Sequence, residues 1–141
     1  TGFSARDIED MYELRKSYEI LAVKWAIERI AKEELEKLEE AFEFMEFYTQ
    51  KNDVEKMLNI NMNFHELIYK ASHNRMLYHI LSSYQLYIKQ SKASRGDVSA
   101  DYLETILQEH RAIFEAFKNR DADAAIEAMA RHLDNAKLRA K

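Results

Sequence analysis

The stretch NMNFHELIYKASHN, residues 61–74, decides how this chain folds. Its apolar side chains recur at steps of three and four, the spacing of one face of an α-helix. The face of this helix that should be buried carries Val54, Met57, Leu58, Asn61, His65 and Ile68. Asn61 and His65 therefore stand one turn apart on an apolar face. A polar group buried there without a partner costs about 1–3 kcal/mol, so both side chains need a partner.

The rest of the chain also favours helices. Its 141 residues suffice for one domain with a sizeable core, and it has no proline and only two glycines. Periodicity predicts six helices over residues 5–31, 32–51, 52–73, from Asn74 onward, 100–119, and from Asp121 to 139. Asn52 with Glu55 resembles a capping box at the start of the third predicted helix. The segment KASRGDVSA, residues 92–100, is the one clear loop. Short connections indicate an all-α, antiparallel bundle of about six helices.

Composition excludes several kinds of protein. With no cysteine, the chain has no disulfide framework, thiolate metal site or cysteine nucleophile, which suits a cytoplasmic location. No apolar run approaches the roughly 20 residues of a membrane span, so no membrane contact is expected. A net charge of −4 provides no basic field for nucleic acid.

Two further histidines fall within predicted buried stripes. The fifth helix carries Leu103, Ile106, Leu107, His110, Ile113, Phe114 and Phe117, and the sixth carries Ala125, Ile126, Met129, His132, Leu133 and Ala136. His73 and His79 lie at a helix end and off the stripe, as surface residues do. One buried histidine is usually a core residue bonded to a carbonyl or carboxylate. Three on three helices favour a shared divalent metal, although the stripes alone do not bring the faces together.

The motifs also resemble a known family. RKSYE contains Arg15 followed four residues later by Glu19, NMNFHELIYKASHN contains the third-helix signature, EHRAIFEAF contains Glu109 and His110, and ARHL follows DADAAIEAM. In this order and spacing they resemble the FCD effector domain of GntR-type bacterial transcription regulators, the FadR branch. The resemblance covers essentially the whole chain and implies an all-α domain that senses a ligand.

The resemblance implies a metal site. His65, His110 and His132 match the three histidine ligands of the family, and Asn61 stands where the family most often has Asp. An amide oxygen can still bind an ion but neutralises none of its charge. Three imidazoles favour zinc or nickel over magnesium or calcium.

The resemblance also implies a small carboxylate as the effector, with Arg15 as its charge partner. The alternative for Arg15 is a helical ion pair with Glu19, worth roughly 0.2–0.5 kcal/mol. Asn135 is a second effector-binding candidate. Arg95, in the loop, is expected to be solvated, and a helix cap explains Asn74.

Family members carry a winged helix-turn-helix DNA reader before this domain. The chain opens on TGFSARDIEDMYELR, where the linker after such a reader would end. Residues 1–141 are therefore expected to form an effector domain that reaches DNA only through an N-terminal domain absent from this chain. The resemblance also implies a homodimer that spans a two-fold DNA site, and Phe44, Phe47, Tyr78 and Tyr87 hold more apolar surface than a bundle interior obviously needs.

Two other classes of function stay open. A metal-dependent hydrolase can use three histidines but needs a general base. Glu66 and Glu109 adjoin ligands in sequence, yet adjacency turns each about 100° off its stripe, so no buried glutamate is expected and the chain is not predicted to be an enzyme. A structural helical interaction module would have neither metal nor pocket.

Overall fold

The computed structural model of the protein describes the backbone of residues 2–92 and 100–140. Over these residues there are six helices and no strand: α1 Ala5–Arg29, α2 Lys32–Gln50, α3 Val54–Ala71, α4 Arg75–Lys92, α5 Ala100–Lys118 and α6 Ala122–Ala140. The predicted all-α fold is confirmed. The predicted loop at residues 92–100 and its Arg95 lie almost wholly outside the described residues.

Short-range hydrogen bonds fix where most helices begin. The Asn74 carboxamide oxygen accepts from the amide of Leu77 at 2.9 Å, and an Asp121 oxygen accepts from the amide of Ala124 at 3.1 Å. Both caps are as predicted. The sequence shows no good cap between α1 and α2. There the carboxylate of Glu34 accepts a hydrogen bond from the backbone amide of Ala31 at 2.9 Å. These bonds satisfy donors that the first helical turn leaves open.

The predicted start of α3 is wrong by one residue. Asp53, not Asn52, caps the helix, accepting from the amide of Lys56 at 3.2 Å. Asn52 has φ of 54° and belongs to the turn that ends α2. Asparagine tolerates this left-handed conformation better than most residues. Asn52 therefore occupies the turn, and the cap of α3 falls on the next residue, Asp53. Glu55 therefore has no part in a capping box with Asn52.

The second half of α1 is the centre of the bundle. Ala22, Val23 and Ala26 are fully buried, and α1 packs against α3, α4 and α6. Helix α5 packs against α2 and α6. The predicted stripes are buried over most of their length. On α3 and α6 the exceptions are Val54, Leu58, Asn61 and Ile126, which are half-buried.

Among the described residues, none of the helices combines the length and the apolar character needed to cross a membrane. His73 and His79 are exposed, as predicted. The arrangement brings α1, α3, α5 and α6 around one polar centre inside an otherwise apolar core.

Candidate metal centre

His65 on α3, His110 on α5 and His132 on α6 meet at this polar centre. Each offers one ring nitrogen such that the three nitrogens all lie within 4.8 Å of one another. These three residues are 1%, 0% and 4% exposed. The sequence could place each histidine on a buried stripe but could not bring the stripes together, and the packing of three helices does so.

Two of the rings are oriented by oxygen acceptors on α5. The Nδ1 of His110 lies 2.7 Å from the carbonyl oxygen of Ile106, and the Nδ1 of His132 lies 2.6 Å from Oε1 of Glu109. A carbonyl oxygen and an ionised carboxylate only accept, so each Nδ1 carries the proton. In a neutral imidazole this leaves a lone pair on Nε2, the form that binds a metal.

His132 stays neutral over a wide pH range. Burial lowers its pKa well below the usual 6.5, and repulsion from His110, His65, Arg15 and Arg139 acts in the same direction. At neutral pH its Nε2 is therefore available as a ligand rather than occupied by a proton.

Glu109 is part of this site, which the sequence interpretation did not foresee. Its Oε1 accepts from His132 and from Arg139 at 2.8 Å, and its Oε2 accepts from Asn135 at 3.0 Å and Arg139 at 2.8 Å. Adjacency to His110 does turn the Glu109 side chain off the stripe of α5, but toward α6. His132, Asn135 and Arg139, spaced by three and four, share a face of α6, and that spacing was the available signal.

The expectation that no glutamate is buried is also wrong for Glu19, which is 0% exposed on α1. Its Oε2 accepts from Nε of Arg15 at 3.0 Å and from the hydroxyl of Tyr69 at 2.8 Å. Gln85 in turn donates to the Tyr69 hydroxyl at 2.9 Å. Burial alone would raise the pKa of Glu19, but the Arg15 charge, together with the neighbouring His65 and Tyr69, more than offsets this and holds the pKa below its ordinary value. The i,i+4 spacing from a buried arginine was the signal for this residue.

Arg15 is buried beside the histidines and keeps its charge. Burial lowers its pKa, but the carboxylate of Glu19, together with Tyr69 and Tyr12, more than offsets this, so the net pKa is raised. Only its Nε is hydrogen-bonded among the described residues, which leaves the terminal nitrogens as unused donors.

These unused donors border a cavity of about 240 Å³. Polar side chains in its wall are Arg15, Glu55, Asn59, Asn61, His65, Gln85, His132 and Arg139. Leu58, Ile88 and Ile106 make part of the wall apolar. Asn135 does not line it and instead donates to Glu109.

Asn61 faces this cavity with an unused acceptor. Its Oδ1 is buried and has no hydrogen-bond partner, and it lies one helical turn before His65. Three imidazole nitrogens and an unsatisfied amide oxygen are a donor set that fits a divalent transition metal. The residues present therefore fit such an ion.

Comparison with known proteins identifies the class. The sequence model of the FCD domain matches residues 10–135, so the chain belongs to the FCD domain family, and its resemblance to the effector domains of GntR-type regulators is confirmed.

Two curated relatives are regulators. Over 139 residues the chain is 34% identical to an uncharacterized HTH-type transcriptional regulator, YdhC, of Bacillus subtilis strain 168, covering 96% of this chain and 60% of that protein. Over 129 residues it is 31% identical to the galactonate operon transcriptional repressor of Escherichia coli K12, covering 89% and 54%. The chain thus spans little more than half the length of either relative.

A solved structure shares the fold. E. coli McbR/YncC superimposes with a TM-score of 0.88 over 99% of this chain and 70% of that chain. Its sequence identity is 18%, so this likeness bears on the fold alone.

Proposed function

We propose that this chain is the ligand-sensing, metal-binding effector domain of a bacterial transcriptional regulator of the GntR type. In this proposal a small carboxylate binds at a divalent metal held by three histidines, and no reaction is catalysed. The observation that carries the proposal is the convergence of His65, His110 and His132 beside a cavity that the buried Arg15 borders.

The proposed metal ligands are Nε2 of His65, His110 and His132 and the amide oxygen of Asn61. Zinc or nickel suits this set, because imidazole nitrogen dominates it and no ligand carries a negative charge. When bound, the ion supplies positive charge and an exchangeable position for an oxygen ligand. Glu109 fixes the His132 ring by accepting its Nδ1 proton.

The proposed effector is an anion with a carboxylate. The terminal nitrogens of Arg15 are a buried donor pair, and paired donors of this kind bind a carboxylate in a bidentate manner. Gln85 and Asn61 in the same wall can bond hydroxyl or carbonyl groups of such a molecule. The name of the E. coli relative refers to galactonate, a hydroxylated carboxylate, which agrees with this ligand class.

The proposed signal is a shift of α1 relative to the helices that carry the histidines. Arg15 lies on α1, whereas the ligands lie on α3, α5 and α6. A carboxylate bound to both the ion and Arg15 favours the arrangement that brings them to a set separation. In the GntR-type regulators that this chain resembles, the helix equivalent to α1 follows the DNA reader. The proposal therefore includes DNA binding by the whole protein, controlled through α1.

We extend the proposal to a homodimer that places two readers on a two-fold DNA site. Phe44 and Phe47 on α2 are 44% and 49% exposed, and Leu86 on α4 is 57% exposed. Tyr78 and Tyr87, predicted from sequence to add apolar surface, are half-buried instead. The Tyr78 hydroxyl donates to Glu66 at 2.6 Å.

Calorimetric titration tests the effector model. Galactonate and other small carboxylates are titrated into the wild-type chain and into Arg15→Ala, each with and without a chelator. An effector should bind the metal-loaded wild type and lose most of its affinity in both other cases. An acid that binds equally well to the chelated protein and to Arg15→Ala contradicts the model.

Lys16→Ala is the matched control for the lost positive charge. Lys16 follows Arg15 on α1 but pairs with Asp134 at 2.9 Å near the surface and does not line the cavity. Its loss should leave carboxylate affinity within a factor of about two, because exposed pairs contribute little.

A further inference from the structure

We infer that Glu19 is a positioning residue for His65, accepting a hydrogen bond from its Nδ1 when its Nε2 binds the ion. This inference rests on the proposed metal site and adds a residue on α1 to it. Among the three histidines, His65 is the one whose Nδ1 has no hydrogen-bond partner among the described residues.

Two unpaired atoms face each other at this place. The Nδ1 of His65 and the Oε1 of Glu19 are both buried, both lack a hydrogen-bond partner, and lie 3.8 Å apart. Buried polar atoms without partners are rare, because each costs about 1–3 kcal/mol. That two of them are neighbours indicates a bond that a small approach of the two side chains would complete.

The hydrogen bonds of His110 explain why His65 and Glu19 do not form this hydrogen bond. Its Nδ1 donates to the carbonyl of Ile106, so in neutral His110 the Nε2 is an acceptor. The Nε2 of His65 lies 2.9 Å from it and must donate the proton. Neutral His65 then has an acceptor at Nδ1, facing the acceptor Oε1 of Glu19.

Ligation of an ion through Nε2 would require the other tautomer of His65. Binding through Nε2 requires a lone pair there, so neutral His65 carries its proton at Nδ1 instead. The proton that leaves Nε2 is replaced by one at Nδ1, and the imidazole neither gains nor loses a net proton. Nδ1–H then faces the carboxylate as a donor, and both unpaired atoms gain a partner.

Glu19 is held so that it can perform this role. Its other oxygen accepts from Arg15 and Tyr69, which fixes the carboxylate plane and keeps the group ionised. All three histidines then have Nδ1 on an oxygen acceptor: Ile106 for His110, Glu109 for His132, and Glu19 for His65.

Zinc affinity tests the role of Glu19, measured by competition with a chromophoric chelator. Glu19→Gln should weaken zinc binding by about 10- to 100-fold, the usual effect of losing the outer partner of a ligand. Glu66→Gln is the matched control: Glu66 follows His65 in sequence, but its carboxylate accepts from Tyr78 and not from a histidine. It should change zinc affinity by less than a factor of about two.

Nitrogen-15 NMR of the zinc-loaded wild-type chain supplies a readout that does not depend on a variant folding. We expect His65 as the Nδ1–H tautomer with Nε2 on zinc, and a shift of this Nδ1 proton in Glu19→Gln. His65 bound through Nδ1, or equal zinc affinities for Glu19→Gln and Glu66→Gln, would overturn the inference while leaving the metal site intact. A wild-type chain that binds no zinc overturns the proposed function itself.

Discussion

The carboxylate of Glu109 on α5 and the Nδ1 of His132 on α6 lie 2.6 Å apart, the shortest of the contacts that Glu109 makes at the site. Arg139 binds the same carboxylate through two nitrogens, each at 2.8 Å. The pair joins two helices and fixes the direction in which the Nε2 of His132 points. The same interaction therefore orients His132, a proposed metal ligand, and joins α5 to α6.

Replacing this carboxylate by an amide should affect both metal binding and stability. In Glu109→Gln the amide nitrogen faces donors of Arg139 or Asn135, and a lost buried bond of this kind costs about 1–3 kcal/mol. Urea unfolding of the chelated protein measures this loss. Zinc affinity should fall by about 10- to 100-fold, measured by competition.

Glu127→Gln serves as the control for Glu109→Gln. Glu127 pairs with Arg131 at 2.9 Å on the exposed side of α6, where single substitutions change stability by less than about 0.5 kcal/mol. Equal effects of the two substitutions would show that Glu109 does not support His132.

The low pKa of His132 predicts an acid-sensitive fold. Between about pH 6.5 and the lower folded pKa, the unfolded chain binds a proton at His132 that the folded chain does not, so stability falls as pH falls. His132 alone can contribute a slope of at most about 1.4 kcal/mol per pH unit. Urea unfolding in chelator at several pH values from about 7.5 downward measures the slope.

His132→Gln should reduce that slope, because it removes the group whose pKa is shifted. His79→Gln, at an exposed position on α4, should leave it unchanged. A wild-type stability that is constant across this range, or a slope that survives in His132→Gln, rules out His132 as its source.

Asn61→Asp should change which metal is preferred. A carboxylate adds a hard, charged ligand, so affinity for manganese should rise by a larger factor than affinity for zinc. Competitive titrations of both ions measure the two ratios. Asn59→Asp adds the same charge two residues earlier in the wall of the same cavity and controls for general electrostatic attraction.

If Asn61→Asp changes both metal affinities by the same factor, or only as much as Asn59→Asp does, Asn61 is not a ligand. Its unpaired Oδ1 then belongs to the effector side of the cavity.

The dimer should dissociate when a charge is placed on its contact surface. Light scattering of the wild-type chain at tens of micromolar should give the mass of two chains. Phe47→Asp on α2 and Leu86→Asp on α4 alter similarly exposed residues, so comparing them identifies the helix that contributes. A monomeric wild-type chain would contradict dimerisation through this domain.

Local patterns predicted the six helices and the stripes that carry His65, His110 and His132. Both depend on the helical period and on the burial of apolar side chains, which a sequence displays directly. The error at α3 has a local cause as well. Asn52 and Asp53 are both good caps, and the choice was made by the turn that ends α2, which demands a positive φ at Asn52.

The supporting carboxylates could not be predicted in the same way. Glu109 reaches His132 only because α5 and α6 pack side by side, and Glu19 reaches His65 only because α1 lies against α3. Such pairings depend on the reach of a long side chain across a helix interface. A rule that assigns each residue to one face of one helix misses them: it turned Glu109 off its stripe, and it led to the expectation that no glutamate is buried, which Glu19 contradicts.

The metal content of the purified chain tests the central claim most directly. After incubation with zinc or nickel and removal of free ion, elemental analysis should find one divalent ion per wild-type chain and almost none in His110→Ala. His73→Ala, which removes an exposed histidine paired with Glu34, should retain the wild-type content. A folded wild-type chain that retains no ion, or a His110→Ala variant that retains as much as the wild type, would contradict a three-histidine metal centre.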